Sequence, residues 1–239
     1  MILYRKNYSK SGISLDLKLI NIMKYKHTIK KNIRKFIDYF VLNKNAILNK
    51  TYIPNRYEHL YIEVTNKCNL GCKFCAYTKG SLPKKNMTND FFKEVIEKAC
   101  EYGYSKFGLT PDAGEVFLDK YFIEKLDYLE QFEKVKSYSF FSNMTLMKRE
   151  YIDFLVNCKK LTILSISIYG HDEESFIAVT GSDKKNYFNL LKNLQYLLKH
   201  QASSNMKIEI GFRTIGDFSF EKCNSELCLI IKKYKQSGT

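Results

Sequence analysis

The sequence predicts an α/β protein built from βα units around a mostly parallel sheet. Three observations carry that prediction. Strand-like and helix-period segments alternate five times after residue 57. Hydrophobic residues make up 45 % of 239, enough for one sizeable core. Only 3 prolines and 11 glycines are present, which leaves little room for linkers. An aromatic content of 15 %, from 18 Tyr and 17 Phe with no Trp, belongs to a folded chain rather than a disordered one.

The elements follow in order. Residues 1–56 read as a basic helical arm, with Ile29, Ile33, Phe36, Ile37, Phe40 and Val41 at helical spacing between lysines. Residues 57–239 form the body. HLYIEVT alternates as a strand, and Thr88 can cap a helix over 89–101 through Phe92, Val95, Ile96 and Ala99. SKFGLT is a short second strand, followed by a helix near 119–132 marked by Phe122, Leu126 and Leu129. VKSYSFFSN is the third strand and 148–157 the next helix. LTILSISIYG is the fourth strand, and 186–200 is a helix carrying a leucine face. MKIEIGFRTIG is the fifth strand, with a last helix expected over 219–233.

Charge separates the arm from the body. The formal net charge is +14, yet residues 1–56 hold thirteen Lys/Arg against two Asp/Glu, and the remainder twenty-six against twenty-three. The arm suits a helix packed on the body, or a contact with RNA, peptide or a membrane surface. The start, MILYRKNYSK, has no continuous apolar stretch of the targeting kind, and no window approaches the roughly eighteen apolar residues of a transmembrane span. Seven cysteines, an odd number with three clustered, disfavour a secreted disulfide framework and fit the cytoplasm.

In parallel α/β folds, ligands bind beyond the carboxyl ends of the strands. Five segments occupy that position: NKCNLGCKFC, TPDAGE, SNMT, SIYGHD and RTIGD. Each places polar groups or glycine directly after an apolar strand, so they are expected to line one cavity mouth.

Cys68, Cys72 and Cys75 carry the sharpest chemistry. A disulfide would leave one thiol over, and structural zinc normally takes a fourth ligand that no second Cys-x-x-Cys supplies. Three thiolates satisfy three irons of a [4Fe–4S] cubane and leave the fourth iron open. Buried, unrelated cysteines and a zinc site stand as the alternatives.

The run TNKCNLGCKFC resembles the CxxxCxxC signature of the radical S-adenosylmethionine (SAM) superfamily, and the order of the later landmarks matches over most of residues 57–215. Within it, the chain is similar to the group whose members often carry a SPASM or twitch extension, which is not seen here. The resemblance implies a partial TIM-like (β/α)6 barrel, here about five βα units with an N-terminal helical extension. It implies a [4Fe–4S] cluster on Cys68, Cys72 and Cys75, with SAM on the open iron. SAM would be cleaved reductively to methionine and a 5′-deoxyadenosyl radical that abstracts a substrate hydrogen. Phe74 matches the position whose backbone meets adenine. Gly114 and Glu115 match the Gly-Gly-Glu region, with Ala113 in place of the first glycine, and Glu115 is expected to meet the methionine ammonium. Asn143, Ser167 and Arg213 complete the expected SAM contacts, with Ser142 and Thr145 as weaker candidates, and Tyr169 and His171 reach further out toward substrate.

A reducing partner such as flavodoxin or ferredoxin is implied, with a peptide or small metabolite as substrate. Such barrels usually have six strands, so a truncated chain or a completing protein partner is also implied. Cys223 and Cys228 fall five apart on the expected last helix and read as core packing rather than an auxiliary cluster. The competing reading is a noncatalytic iron–sulfur protein or partner-dependent subunit, its basic arm docking RNA, peptide or membrane.

Overall fold

The computed structural model describes residues 32–33, 36, 39–40, 47–48, 58–78, 80–81, 83–110 and 112–236. Two compact units divide the chain, Met1–Pro54 and Asn55–Thr239. In the first, residues 32–33, 36, 39–40 and 47 are helical, and the rest of the basic arm lies outside the described residues. Pro111 of TPDAGE lies outside them as well.

The second unit contains five parallel strands in sequence order: β1 (Leu60–Ile62), β2 (Lys106–Leu109), β3 (Ser137–Ser142), β4 (Leu161–Tyr169) and β5 (Lys207–Arg213). The described helices of this unit are α1 (Asn89–Glu101), α2 (Phe122–Gln131), α3 (Arg149–Val156), α4 (Glu173–Thr180), α5 (Lys184–His200) and α6 (Glu226–Gln236). This is the α/β class of βα units around a parallel sheet expected from the strand–helix alternation, and it agrees with the partial barrel that the resemblance implies. Among the described residues, no helix is long and apolar enough to cross a membrane.

Register explains the two faces. Ile62, Leu109, Phe140, Leu164 and Ile208 are paired neighbour to neighbour across all five strands, and all are buried. They belong to one hydrophobic cluster with Phe92, Ile96, Leu126, Leu129, Leu190 and Leu194 of the helices. Burying each such side chain is worth about 1.5–3 kcal/mol. The alternate residues belong to the opposite face: Tyr61 pairs with Gly108, Ser165 with Glu209, Ser167 with Gly211 and Tyr169 with Arg213. That face is small and polar, which leaves it open toward the strand exits.

Four local features depart from the sequence reading. β1 stops at Ile62, and Thr65 instead makes an isolated antiparallel bridge to Asn86. Helix α4 was not anticipated, although Asp172 and Ser175 form a reciprocal cap and Gly181 closes it with φ 62°. The last helix starts at Glu226 rather than 219, because the Ser225 hydroxyl accepts from Cys228 N at 3.2 Å and caps it. Cys223 therefore precedes the helix, and it is joined to Cys228 in a disulfide instead of packing as a free core thiol.

One buried charge pair was not legible as such. Lys125 lies on the core face of α2 and donates to Asp119 Oδ2 at 2.5 Å, with both side chains 1 % exposed. Its ammonium also sits 6.0 Å from the Phe92 ring centroid. A lone buried charge is far costlier than a buried pair. Lys125→Met should therefore destabilise the protein by about 3–5 kcal/mol in urea unfolding, and adding Asp119→Leu should restore a large part of that loss.

Candidate metal and cofactor site

The three cysteines lie on the loop that leaves β1, and the chain pins this loop from four sides. At its base, Asn66 Nδ2 donates to Pro83 O at 2.9 Å, and Lys85 N donates to Asn66 Oδ1 at 2.7 Å. The Thr65 hydroxyl donates to Asn86 Oδ1 at 2.7 Å and accepts from Lys67 N at 3.1 Å. From β2, Glu115 N donates to Lys67 O at 2.6 Å. From β3, Asn143 Nδ2 donates to Asn69 Oδ1 at 3.1 Å, and Asn69 Nδ2 donates to the Thr145 hydroxyl at 2.8 Å. From α4, Thr180 O and Val179 O accept from Gly71 N at 2.7 Å and Lys73 N at 2.9 Å. The carbonyls that end a helix need partners, and here the cysteine loop supplies them.

Gly114 has a specific steric reason. Its φ is +104°, and a Cβ there would meet Thr65 O at 2.4 Å. The close approach is thus between two backbones, the β2 exit and the base of the cysteine loop. Glu115 follows it inward. Its carboxylate accepts from the Ser142 hydroxyl at 2.9 Å and from Asn143 N at 2.6 Å, and the residue is fully buried. Burial pushes this carboxyl up to about 7, against hydrogen bonds from Asn143, Ser142 and Phe117 that pull it down. Both Glu115 oxygens accept hydrogen bonds within the protein, so the side chain braces the β2 exit to the β3 exit, and the residue is not among those lining the cavity at the strand exits.

A cavity of about 560 Å³ opens at the strand exits, and Cys68, Cys72 and Cys75 all line it. So do Phe74, Gly114, Asn143, Ser167, Tyr169 and Arg213, which the sequence reading named from five segments. Phe74 packs against Tyr169 with ring centroids 5.2 Å apart, and the Arg213 guanidinium lies 5.4 Å from the Phe74 centroid. Asn143 is partly committed to its own turn, since its Oδ1 accepts from Thr145 N at 3.0 Å and from the Thr145 hydroxyl at 2.6 Å.

His171, expected to reach further out toward substrate, lies outside the wall of this cavity. Its Nδ1 is 2.7 Å from the Thr214 hydroxyl, and its ring stacks on Phe218 at 4.9 Å. Thr110 was missed. It lines the cavity at φ 51° and is 2 % exposed, and its hydroxyl is buried with no partner. A threonine directly after an apolar strand was the available signal.

The three cysteines share one cavity, and among the described residues no three His, Cys, Asp or Glu group to hold one metal ion. Burial first, and then the charges of Cys68 and Cys75, push the Cys72 thiol up to about 12. Burial likewise raises Cys68. Such crowded thiols become thiolates when a cationic group binds them.

Comparison with known proteins places this geometry. A model described as the Radical SAM superfamily matches residues 62–220. The subtilosin biosynthesis protein AlbA of Bacillus subtilis is 26 % identical over 142 residues, covering 59 % of this chain and 31 % of its own length. GTP 3′,8-cyclase of Actinobacillus pleuropneumoniae is 26 % identical over 193 residues, covering 80 % of this chain and 48 % of its own. Streptococcus suis SuiB, solved with S-adenosylmethionine, superposes with a TM-score of 0.58 at 17 % identity over 94 % of this chain and 50 % of its own. The chain thus spans between about a third and a half of these proteins.

Gly114→Ala tests the clamp. The left-handed backbone alone should cost about 1–3 kcal/mol, and the clash with Thr65 O should add to it. Thermal unfolding should fall, together with retention of reconstituted iron. Glu115→Ala should cost about 3 kcal/mol by leaving Asn143 N and Ser142 unpaired, and Glu115→Gln distinctly less.

Proposed function

The chain belongs to the radical SAM superfamily, and from that premise we propose that it binds a [4Fe–4S] cluster on Cys68, Cys72 and Cys75 and uses SAM to oxidise a substrate by hydrogen abstraction. The observation that carries this reading is the shared cavity wall: three thiols and the Phe74, Asn143, Ser167, Tyr169 and Arg213 side chains meet in one space. When bound, cluster and SAM together supply a one-electron cleavage of SAM and a carbon radical.

The chain's own residues have separable roles in this proposal. The cysteines supply three anionic ligands, and the four-sided pinning of their loop holds them in place without the cofactor. Arg213 offers the cavity a fixed cation suited to a carboxylate, its plane held over Phe74. Phe74 and Tyr169 form an aromatic wall against which a base can stack. Ser167 and the unpartnered Thr110 hydroxyl offer donors for ribose or carboxylate oxygens. Leu70 and Ala113, both buried, keep water from the cluster side.

A peptide is the favoured substrate class. AlbA serves bacteriocin biosynthesis, and SuiB has been solved with the precursor peptide SuiA, a structure that superposes with a TM-score of 0.57. The cavity mouth also exposes Phe74, Tyr77 and Phe141, apolar surface that suits side chains better than a highly charged metabolite. The cytoplasm suits an oxygen-sensitive ligand set of three thiols.

Anaerobic reconstitution should give a stoichiometric cluster, and dithionite with SAM should then yield 5′-deoxyadenosine. Cys72→Ala should lose most bound iron and sulfide and all nucleoside product. A fully loaded protein that forms no 5′-deoxyadenosine would overturn the enzymatic reading.

A further inference from the structure

The turn that leaves β3 is more tightly specified than a cavity wall requires. Met144 is left-handed at φ 64° although it is not a glycine, and its side chain is buried. Its carbonyl accepts from Asn193 Nδ2 of α5 at 2.7 Å, and its N–H donates to the Ser142 hydroxyl at 2.9 Å. Strained backbone persists where its surroundings over-determine it, and here the strain frames one side chain, Asn143.

The hydrogen bonds of the Asn143 amide form a closed account. Its Oδ1 accepts from Thr145 N at 3.0 Å and from the Thr145 hydroxyl at 2.6 Å, which takes both lone pairs. The Thr145 hydroxyl in turn accepts from Asn69 Nδ2 at 2.8 Å, and Asn69 Oδ1 accepts from Asn143 Nδ2 at 3.1 Å. The three side chains therefore make a ring that runs in one direction. Thr145 N can only donate, so the oxygen of the Asn143 amide must face it and the nitrogen must face the cysteine loop. One amide hydrogen goes to Asn69, and the other is directed at Cys68 Sγ, with Nδ2 4.0 Å away. The same sulfur accepts from Leu70 N at 3.5 Å.

We infer that Asn143 is a donor to the Cys68 thiolate rather than a SAM contact, and that it raises the reduction potential of the cluster held there, with Thr145 and Asn193 as the positioning residues that aim it. The inference rests on the cluster assignment above and adds what tunes that cluster. Both lone pairs and both hydrogens of the amide are committed within the protein, which leaves none for SAM. A thiolate is a far better acceptor than a thiol, so the long approach to Cys68 gains its value when the ligand is charged. When the oxidised cluster takes one electron from a low-potential reductant, it gains one negative charge and no bond or proton moves. An N–H dipole aimed at a ligand sulfur favours that more negative state. An oxygen in the same place would favour the oxidised one, so the direction of the ring sets the sign of the effect.

The test uses the full chain, anaerobically reconstituted and assayed for iron and sulfide. A redox titration with dithionite, without SAM, is followed by electron paramagnetic resonance of the reduced cluster. At the potential where wild type is half reduced, Asn143→Leu should show a reduced-to-oxidised ratio about tenfold lower, and Asn143→Asp a ratio lower still. Thr145→Val and Asn193→Leu keep the donor but loosen its aim, and should lower the ratio by a smaller factor, about threefold. Asn157→Leu, past the end of α3, should match wild type. Binding of SAM to the oxidised cluster should stay near wild type in Asn143→Leu. Equal ratios in loaded wild type and Asn143→Leu would overturn the inference, and a large loss of SAM binding beside them would return Asn143 to the cofactor wall. Should Asn143→Leu fail to load, Thr145→Val decides, and a ratio equal to wild type there would overturn the inference. Wild type that takes up no iron and sulfide would overturn the cluster reading and this inference with it, whereas loaded proteins with equal ratios overturn the inference alone.

Discussion

The backbone of the cysteine loop is the constraint on which the rest of the site depends. A loop that must present three thiols cannot also form a strand or helix, so its polar groups need partners from elsewhere. The chain provides them from the 83–86 segment, the β2 exit, the β3 exit and the end of α4. Each hydrogen bond contributes only about 1 kcal/mol net, against an ordering cost of about 1–2 kcal/mol per loop residue, so the loop also depends on burying Leu70 and Cys72.

That constraint also explains where the cavity lies. Period-two alternation sends Ile62, Leu109, Phe140, Leu164 and Ile208 to the helices, and leaves Gly108, Ser165, Ser167 and Gly211 on the other face. The glycines and serines of this face leave room between its larger members, Tyr61, Phe141 and Tyr169. It stays available, and the strand exits place Arg213, Tyr169 and Asn143 around its upper rim. Fold and site are therefore two readings of one alternation, with the apolar half building the core and the polar half keeping space.

Much of this was legible from residue order. The apolar runs located all five strands, Thr88 marked the start of α1, and the segments after the strands marked the cavity mouth that Cys68, Cys72 and Cys75 line. What escaped was whatever depended on a partner far along the chain. Glu115 looks like an exposed acid in TPDAGE, and only the arrival of Ser142 and Asn143 turns it into a buried brace. His171 sits in a strand exit with its neighbours, yet Thr214 and Phe218 draw it aside. Lys125 reads as a solvated helix lysine until Asp119 is seen beneath it. Helix α4 was the avoidable omission, because Asp172, Ser175 and Gly181 carry local start and stop chemistry that needs no tertiary partner.

The separations spanned by the loop's tethers set an order of events during synthesis. Asn69 waits for Thr145, 76 residues later, and Gly71 waits still longer for Thr180. A chain made from its N-terminus therefore carries all three thiols well before it carries the groups that hold them. Contacts this distant form late and slowly, since loop closure must be completed before they contribute. In a zinc finger the metal drives a small domain to fold. Here the tethers that hold the cysteine loop come from the polypeptide through α4, which has to be assembled first.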